Sequence, residues 1–208
     1  MKALVVVDYQ VDFVSGALGF PGAEKLEPVI LGKIEDCRRN SGQVVFTLDT
    51  HGEDYLSTAE GRKLPIPHCI KGTPGHGLYG GVAQAVRPED IIIEKPAFGS
   101  LELADLLKRL SPEEVELCGL VTDICVISNA VIARAALPES RVCVDPAACA
   151  AADPEAERER DGGRKFLEKF HHSSPYFIIS ASYSLSPEVT IPEINCFCAP
   201  MNNSTVGT

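Results

Sequence analysis

The chain has no tryptophan, only two methionines and few aromatic residues, which make up 6% of its 208 positions. It also has no surplus of basic residues, because 19 Lys and Arg stand against 29 Asp and Glu, and the formal net charge is −10. A charge of this sign argues against nucleic acid or an anionic membrane surface as the main partner. We therefore expect neither nucleic acid nor a membrane among the partners of this protein.

A long hydrophobic run is also lacking, since no apolar stretch approaches the roughly 20 residues of a membrane-spanning helix. The N-terminal apolar run, residues 2–7, stops at Asp8 without a small-residue cleavage site, which favours a first core strand over a signal peptide. The eight cysteines form an even number, but without a signal sequence we expect reduced thiols and a cytoplasmic location.

Apolar runs alternate with amphipathic segments along most of the chain. Strands are predicted at residues 2–7, 43–48, 90–94, 115–119, 141–144 and 176–180. Helices are predicted at residues 24–39, 79–87, 101–110, 124–136 and 153–170, the fourth of them apolar and buried nearly all round. This alternation is typical of an α/β fold with three layers, α/β/α, around a six-stranded, mainly parallel sheet.

Two segments depart from the alternation. Residues 50–80 hold six glycines and three of the five histidines with little periodicity, and such a long irregular segment predicts a lid or a site-building loop. From residue 182 onward Ser, Pro and Asn dominate, so we expect one domain over residues 1–181 and a loosely packed or disordered tail over residues 182–208.

Four reactive residues follow predicted strands directly. Asp8, Asp49 and Lys95 stand just past three strand ends, and Cys125 follows a fourth at the start of a helix. Open parallel sheets bind ligands at this edge, so these groups are expected to share one crevice. The helix amides and dipole would favour a thiolate at Cys125, whereas the plainer alternative is a buried core cysteine.

The other two members of this group suit the chemistry of a thiol. Asp8 is a candidate general base for the thiol, and Lys95 is a candidate cation that stabilises the thiolate. A loop Asp that caps the next turn and a Lys in an ion pair with Glu94 or Asp8 are the structural alternatives.

A second cluster of candidate residues lies around the irregular loop. Asp49 and His51 are two positions apart, His68 follows after a long excursion, and Glu60 lies between them. Imidazole and carboxylate ligands suit one divalent ion, Zn²⁺, Mn²⁺ or Fe²⁺. An Asp-x-His pair alone is a weak signal and a lone loop Glu a weaker one, since both are common in solvated turns.

Taken together, these motifs resemble those of the isochorismatase-like cysteine hydrolases. The motifs are Asp8-Tyr-Gln-Val-Asp-Phe13, Lys95-Pro96 and Gly119-Leu-Val-Thr-Asp-Ile-Cys125-Val. Within that family the nicotinamidases and pyrazinamidases are most similar, because Asp49-Thr-His51, Pro67-His68-Cys69 and Gly72-Thr73-Pro74-Gly75 resemble their metal-binding loop. The resemblance covers about residues 1–150.

The resemblance implies a fold with Rossmann-type strand order and an activity. It implies hydrolysis of nicotinamide to nicotinate and ammonia through a thioester, a step of NAD salvage. Cys125 matches the nucleophile, Asp8 the base and Lys95 the supporting cation. The amides of Val121 and Cys125 match an oxyanion hole, beside a cis peptide bond expected at Leu120–Val121.

The resemblance also implies the ligands of the metal site and part of the pocket wall. Asp49, His51 and His68 match the ligands of one divalent ion, Zn²⁺ first, and Glu60 matches a fourth ligand that only some members use. Phe13 matches a pocket wall against an aromatic ring. The expected partner is a small amide substrate, and a homo-oligomer stays open.

Two departures from the family pattern leave alternatives open. Thr50 stands where nicotinamidases often carry Trp, and the chain from about Phe170 does not resemble the last helix of the family. A related hydrolase acting on another small amide or ureide, or an inactive member, is therefore an alternative. A redox or metal-storage protein would need Cys-x-x-Cys pairs, and a pure binding protein would not need Asp8 and Lys95 at strand ends.

Overall fold

The computed structural model describes residues 1–151. Five strands are present in this part of the chain: β1 (Lys2–Val7), β2 (Gln43–Asp49), β3 (Ile91–Lys95), β4 (Glu114–Leu120) and β5 (Arg141–Ala150). The α-helices are α1 (Val11–Val14), α2 (Glu27–Arg39), α3 (Gly80–Gln84), α4 (Leu101–Leu110) and α5 (Ile127–Ala136). The predicted helix 153–170, strand 176–180 and tail 182–208 lie outside the described residues.

The five strands form one parallel sheet in the order β3-β2-β1-β4-β5. The strand order reverses at β1, whose two neighbours are β2 and β4. In sheets of this kind ligands bind outside the carboxyl ends of the strands at the point of reversal. The predicted α/β fold with a parallel sheet is thus confirmed, and the crevice is expected past the ends of β1 and β4.

The sequence explains where the central elements form. β1 is buried along Ala3 to Val7, as expected for a strand covered by helices on both faces. Helix α4 spans the predicted residues, and Ser100 caps it by accepting a hydrogen bond from the Leu103 amide at 3.1 Å. No helix among the described residues has the length and apolarity that a membrane crossing needs.

The segment predicted as one helix, residues 124–136, differs from the prediction. A π-helical turn, Thr122–Val126, comes first, and α5 follows it. The burial prediction was wrong, because α5 buries one face only and leaves Val131 48% exposed. The segment is apolar because one face of it packs against α4. Its composition does not show that the opposite face is exposed to solvent.

Strand β5 also runs further than predicted, to Ala150 rather than Val144. It pairs with β4 in two stretches, with a shift of register between Leu117 and Gly119. Pro146 lies in the unpaired stretch, where its missing N–H group costs no ladder hydrogen bond. A proline marks a bulge in this strand and not its end.

Candidate active site

The sheet brings Asp8, Lys95 and Cys125 together at its carboxyl edge. The Lys95 ammonium lies 2.6 Å from Oδ2 of Asp8 and 3.7 Å from the Cys125 sulfur. The three side chains are almost completely buried, at 0%, 1% and 3% exposure. The carbonyl of Ala97 accepts a further hydrogen bond from Lys95 at 3.0 Å. An acid, an amine and a thiol are thus in contact, out of bulk water.

The backbone past β1 aims the Asp8 carboxylate into this cluster. Asp8 has a φ of 46°, and its amide donates to the Thr47 carbonyl on β2 at 3.1 Å. The Thr47 hydroxyl donates to the other carboxylate oxygen, Oδ1, at 2.7 Å. One oxygen therefore faces Lys95 while Thr47 holds the other, which fixes the orientation of the carboxylate.

Burial dominates the electrostatics of the acid and the amine. Desolvation raises the pKa of Asp8 above its usual value, and the Lys95 ammonium and the Thr47 hydroxyl only partly oppose that rise. Desolvation alone would lower the pKa of Lys95, but the nearby Asp8, Cys125 and Asp49 raise it well above its usual value. Lys95 therefore stays an ammonium, and Asp8 is a stronger base than an exposed aspartate.

The surroundings of Cys125 favour the thiol over the thiolate expected from the sequence. Desolvation and the Asp8 carboxylate raise its pKa well above the usual value, and the Lys95 cation does not offset them. Cys125 lies inside the π-helical turn and is buried, so desolvation opposes the stabilisation that the sequence analysis expected from a helix terminus. A base must therefore take the thiol proton during attack.

The turn that carries Cys125 has the backbone that the family resemblance implies. The Leu120–Val121 peptide bond is cis. The Val121 carbonyl accepts hydrogen bonds from the amides of Ile124 and Val126, at 3.2 and 3.1 Å, which closes the turn around Cys125. Val121 and Cys125 both line the same cavity, so their amides are candidate donors to an oxyanion formed there.

Three metal-ligand side chains converge next to this cluster. Asp49, His51 and His68 are buried, and one ligand atom from each lies within 4.8 Å of the others. The Asp49 Oδ2 atom is 3.0 Å from Nε2 of His51 and 3.4 Å from Nε2 of His68. The Ile66 carbonyl accepts a hydrogen bond from Nδ1 of His68 at 2.8 Å, so Nε2 carries the free lone pair. This set fits a divalent cation.

Glu60 lies beside the same three side chains, where the sequence analysis expected a fourth ligand from a weak signal. Its Oε1 atom is 3.7 Å from Nε2 of His68 and 3.9 Å from Nε2 of His51. Its side chain is 23% exposed, whereas the other three are nearly buried. The loop of residues 50–80 thus brings a fourth oxygen to the rim of the cluster.

Asp49 belongs to both clusters. Its Oδ1 atom is 3.3 Å from the Lys95 ammonium, while its other oxygen faces the two histidines. Desolvation alone would raise the pKa of Asp49, but the hydrogen bond with His51 and the Lys95 charge hold it far below its usual value. Asp49 is therefore an anion, and it joins the metal-ligand cluster to the thiol cluster.

Two residues of the first motif hold the metal-ligand segments, a role that the sequence analysis did not assign. Gln10 is fully buried; it donates to the Asp49 carbonyl at 2.9 Å and accepts from the Asp49 amide at 2.8 Å. Asp12 accepts from the amide of Cys69, next to His68, at 2.8 Å. Polar side chains two and four positions after Asp8 were the available signal, but only the fold gives their partners.

A cavity of about 580 Å³ opens onto both clusters. Phe13 lines it and packs edge-on against the ring of His68, with ring centroids 5.6 Å apart. The wall is mostly apolar, and Cys125, Asp49 and His68 supply its reactive groups. This arrangement suits a flat apolar substrate with one reactive polar group.

Comparisons with known proteins show which family the chain resembles in sequence and fold. The Isochorismatase domain family matches residues 2–160. The uncharacterized isochorismatase family protein PncA of Bacillus subtilis is 34% identical over 142 residues, 62% of this chain and 76% of that protein. The nicotinamidase/pyrazinamidase of Mycobacterium tuberculosis is 28% identical over 169 residues, 74% and 89% of the two chains. The crystal structure of pyrazinamidase of Pyrococcus horikoshii in complex with zinc has a TM-score of 0.68 and 29% identity, covering 80% of this chain and 95% of that one.

Proposed function

The chain belongs to the isochorismatase family of hydrolases, and on that premise we propose that it is a metal-dependent nicotinamidase. The observation that carries the proposal is the contact between two clusters in one cavity. Asp8, Lys95 and Cys125 supply acyl-transfer chemistry, and a buried Asp-His-His set lies beside them. The reaction is hydrolysis of nicotinamide to nicotinate and ammonia, within NAD salvage.

The first half of the reaction forms a thioester. The Asp8 carboxylate takes the thiol proton as the Cys125 sulfur attacks the amide carbonyl carbon. The amides of Val121 and Cys125 donate to the oxyanion, a contribution of about 3–4 kcal/mol for such a donor. The C–N bond then breaks, and Asp8 returns its proton to the nitrogen, which leaves as ammonia.

The second half releases the acid. Asp8, again a carboxylate, takes a proton from water as the water oxygen attacks the thioester carbon. The C–S bond breaks, and the proton on Asp8 returns to the sulfur. Lys95 keeps its charge throughout, because its raised pKa excludes proton loss near neutral pH, and it stabilises the anions on either side of it.

Asp49, His51 and His68 would hold the divalent ion, with Glu60 as a fourth ligand and Zn²⁺ as the first candidate. When bound, such an ion supplies an open coordination position for a ring nitrogen. Phe13 would then flank the ring.

Ammonia release provides the direct test of the proposal. The protein loaded with Zn²⁺, Mn²⁺ or Fe²⁺ is assayed with nicotinamide and pyrazinamide, and again after chelation and metal return. We expect turnover that the chelator removes and metal restores. Absence of ammonia from both amides in every metal-loaded sample would refute the nicotinamidase proposal.

A related hydrolase acting on another small amide or ureide is the alternative activity. This alternative is supported if the metal-loaded protein releases ammonia from such compounds and not from pyridine amides. A cytoplasmic location and the association of copies into a homo-oligomer stay predictions from the sequence.

A further inference from the structure

A buried amide side chain links the nucleophile to the loop after Lys95. We propose that Asn129, on α5, is a positioning residue that fixes the Cys125 turn against residues 96–100, here called the Lys95 loop. Asn129 is fully buried, and its side chain forms hydrogen bonds with Cys125, Phe98 and Ser100. The inference uses the proposed function only to choose the substrate for one of its two assays.

The hydrogen bonds of Asn129 span the two segments. Its Nδ2 group donates to the carbonyl of Cys125 at 2.9 Å and to the carbonyl of Phe98 at 3.0 Å. Its Oδ1 atom accepts from the amide of Ser100 at 3.0 Å. Both N–H bonds and the oxygen have partners, and two carbonyls facing the nitrogen fix the orientation of the amide.

The two linked segments carry parts of the thiol cluster. The Lys95 ammonium donates to the carbonyl of Ala97, inside the Lys95 loop, and lies 3.7 Å from the Cys125 sulfur. Phe98 in that loop and Cys125 in the turn both line the cavity. The Asn129 amide therefore sets the separation of loop and turn, and with it the placement of the thiol beside its cation and base.

The Lys95 loop packs closely against α5 at Gly99. An added carbon at Gly99 would lie 2.5 Å from the Cδ1 atom of Ile132 on α5 and 3.4 Å from the Cβ atom of Ser128. The Lys95 loop thus rests on α5 through its backbone. A side chain shorter than Asn at position 129 could bond the Phe98 carbonyl only if the Lys95 loop moved towards α5.

Two variants separate the halves of the link. Asn129→Ser keeps a hydroxyl that can bond the Cys125 carbonyl four residues earlier, but it cannot reach the Lys95 loop. Asn129→Asp keeps the shape and loses both donated hydrogen bonds. Ser100→Ala is the matched control, because it removes the Oγ cap of α4 and leaves the backbone bond to Asn129 in place.

Turnover kinetics with nicotinamide form the first assay. We expect kcat to fall about tenfold to 100-fold in both Asn129 variants, since misplacement of a reacting group by about 1 Å costs up to about 100-fold. KM and bound metal are expected to stay within about twofold, because the side-chain hydrogen bonds of Asn129 go to Cys125, Phe98 and Ser100, which are not candidate metal ligands. Ser100→Ala is expected to keep kcat.

Alkylation of Cys125 by iodoacetamide, followed by peptide mass spectrometry across pH, forms the second assay and needs no substrate. The pH at which the alkylation rate is half-maximal is expected to fall by about one unit in the Asn129 variants, towards the ordinary thiol pKa of about 8.5. The proposal would be overturned if the Asn129 variants had the same alkylation midpoint and kcat as Ser100→Ala. It would also be overturned if kcat fell, KM rose and bound metal fell in proportion. If the parent chain does not hydrolyse nicotinamide, the proposed function fails, and alkylation alone decides the role of Asn129.

Discussion

Lys95 is the residue at which the two clusters of the site meet. Its ammonium lies 2.6 Å from Asp8 and 3.3 Å from Asp49, with the Cys125 sulfur at 3.7 Å. Two buried carboxylates and a thiol without this cation would face a large desolvation cost. The burial of the whole site therefore depends on one charged side chain at the end of an otherwise apolar strand.

Loss of the nucleophilic sulfur gives the first prediction. Cys125→Ala is expected to abolish ammonia release while it leaves binding of nicotinamide within about threefold, because the sulfur takes part only in bond formation. Turnover assays and calorimetric titration measure the two effects. Cys143→Ala, which removes another buried thiol on β5, is the control and is expected to keep activity. Substantial turnover in Cys125→Ala would reject the thioester route.

The acid limb of the pH profile gives the second prediction. As the proposed base, Asp8 must be a carboxylate to take the thiol proton, and burial raises its pKa, so kcat/KM is expected to fall on the acidic side above the ordinary aspartate value of about 3.9. Thr47→Val removes a hydrogen bond that favours the charged form. The limb should then move to higher pH by about one unit, since such a bond contributes about 1.5 kcal/mol.

Rate measurements between pH 4 and 9 locate the acid limb in both proteins. Thr73→Val, which alters an exposed loop hydroxyl, is the control and is expected to leave the limb in place. An acid limb that stays fixed in Thr47→Val, or moves to lower pH, contradicts the assignment of Asp8 as the base.

The sequence predicted which residues belong to the candidate site better than it predicted their protonation and hydrogen-bond partners. Each of Asp8, Asp49 and Lys95 stands where an apolar run ends, so a parallel sheet suffices to bring them to one edge. The protonation of Cys125 was not predictable, because it depends on burial and on the distance to Asp8. The partner of Gln10, 39 positions away at Asp49, likewise follows only from the register between β1 and β2.

The loop of residues 50–80 is the element that converts a parallel sheet into a candidate metal site. His51 and His68 stand at the two ends of its first part, and the amide of His51 donates to the carbonyl of Cys69 at 3.0 Å. Glu60 lies between them in sequence and near both in space. An ion held by these residues would link both ends of the segment 52–67 and oppose its opening.

Limited proteolysis tests that consequence as the third prediction. Arg62 and Lys63 lie within this segment, and ligand binding to the closed form suppresses local opening by mass action. Removal of metal is expected to speed tryptic cleavage there at least about tenfold, and Zn²⁺ should reverse the effect. His51→Ala should be cleaved at the fast rate with or without metal. Equal rates for metal-loaded and chelated parent chain would contradict the ligand assignment.

The irregular loop was recognisable from composition, and its internal geometry was not. Glycine content and the absence of periodicity separate residues 50–80 from the flanking elements. Two short 3-10 turns, Tyr55–Ser57 and Pro74–His76, order it internally. Neither shows a periodic pattern, since one turn of helix is too short to repeat.

The layers of the whole molecule are joined by a network of charges at the sheet as well as by the apolar core. Lys33 on α2 lies 2.5 Å from Glu116 on β4 and 2.5 Å from Asp145 on β5. Lys2 on β1 lies 2.5 Å from the other oxygen of Glu116. The alternation of strands and helices predicts the layers, but charged residues within strands gave no sign that they pair with each other across three strands and a helix.

Stability across pH tests this network as the fourth prediction. Desolvation alone would raise the pKa of Glu116, but hydrogen bonds from Lys2 and Lys33 outweigh it and lower the pKa. A carboxyl with a lowered folded pKa stabilises the fold above its unfolded pKa of about 4.3, and that contribution is lost as pH falls through the folded value. Glu116→Gln is therefore expected to lower the free energy of unfolding by about 1–2 kcal/mol at pH 7, after allowance for partial solvent screening.

Urea unfolding of the parent chain and the variant at several pH values between 3 and 7 measures this difference. The gap between the two proteins should narrow as the pH falls below the unfolded value of about 4.3 and close once it is below the lowered folded pKa, because Glu116 is then protonated in both states. Glu113→Gln is the matched control, since its side chain is 91% exposed and lies 3.5 Å from the N-terminal ammonium. A gap for Glu116→Gln that is the same at pH 3 as at pH 7 would assign the loss to packing and not to the charges that join the layers.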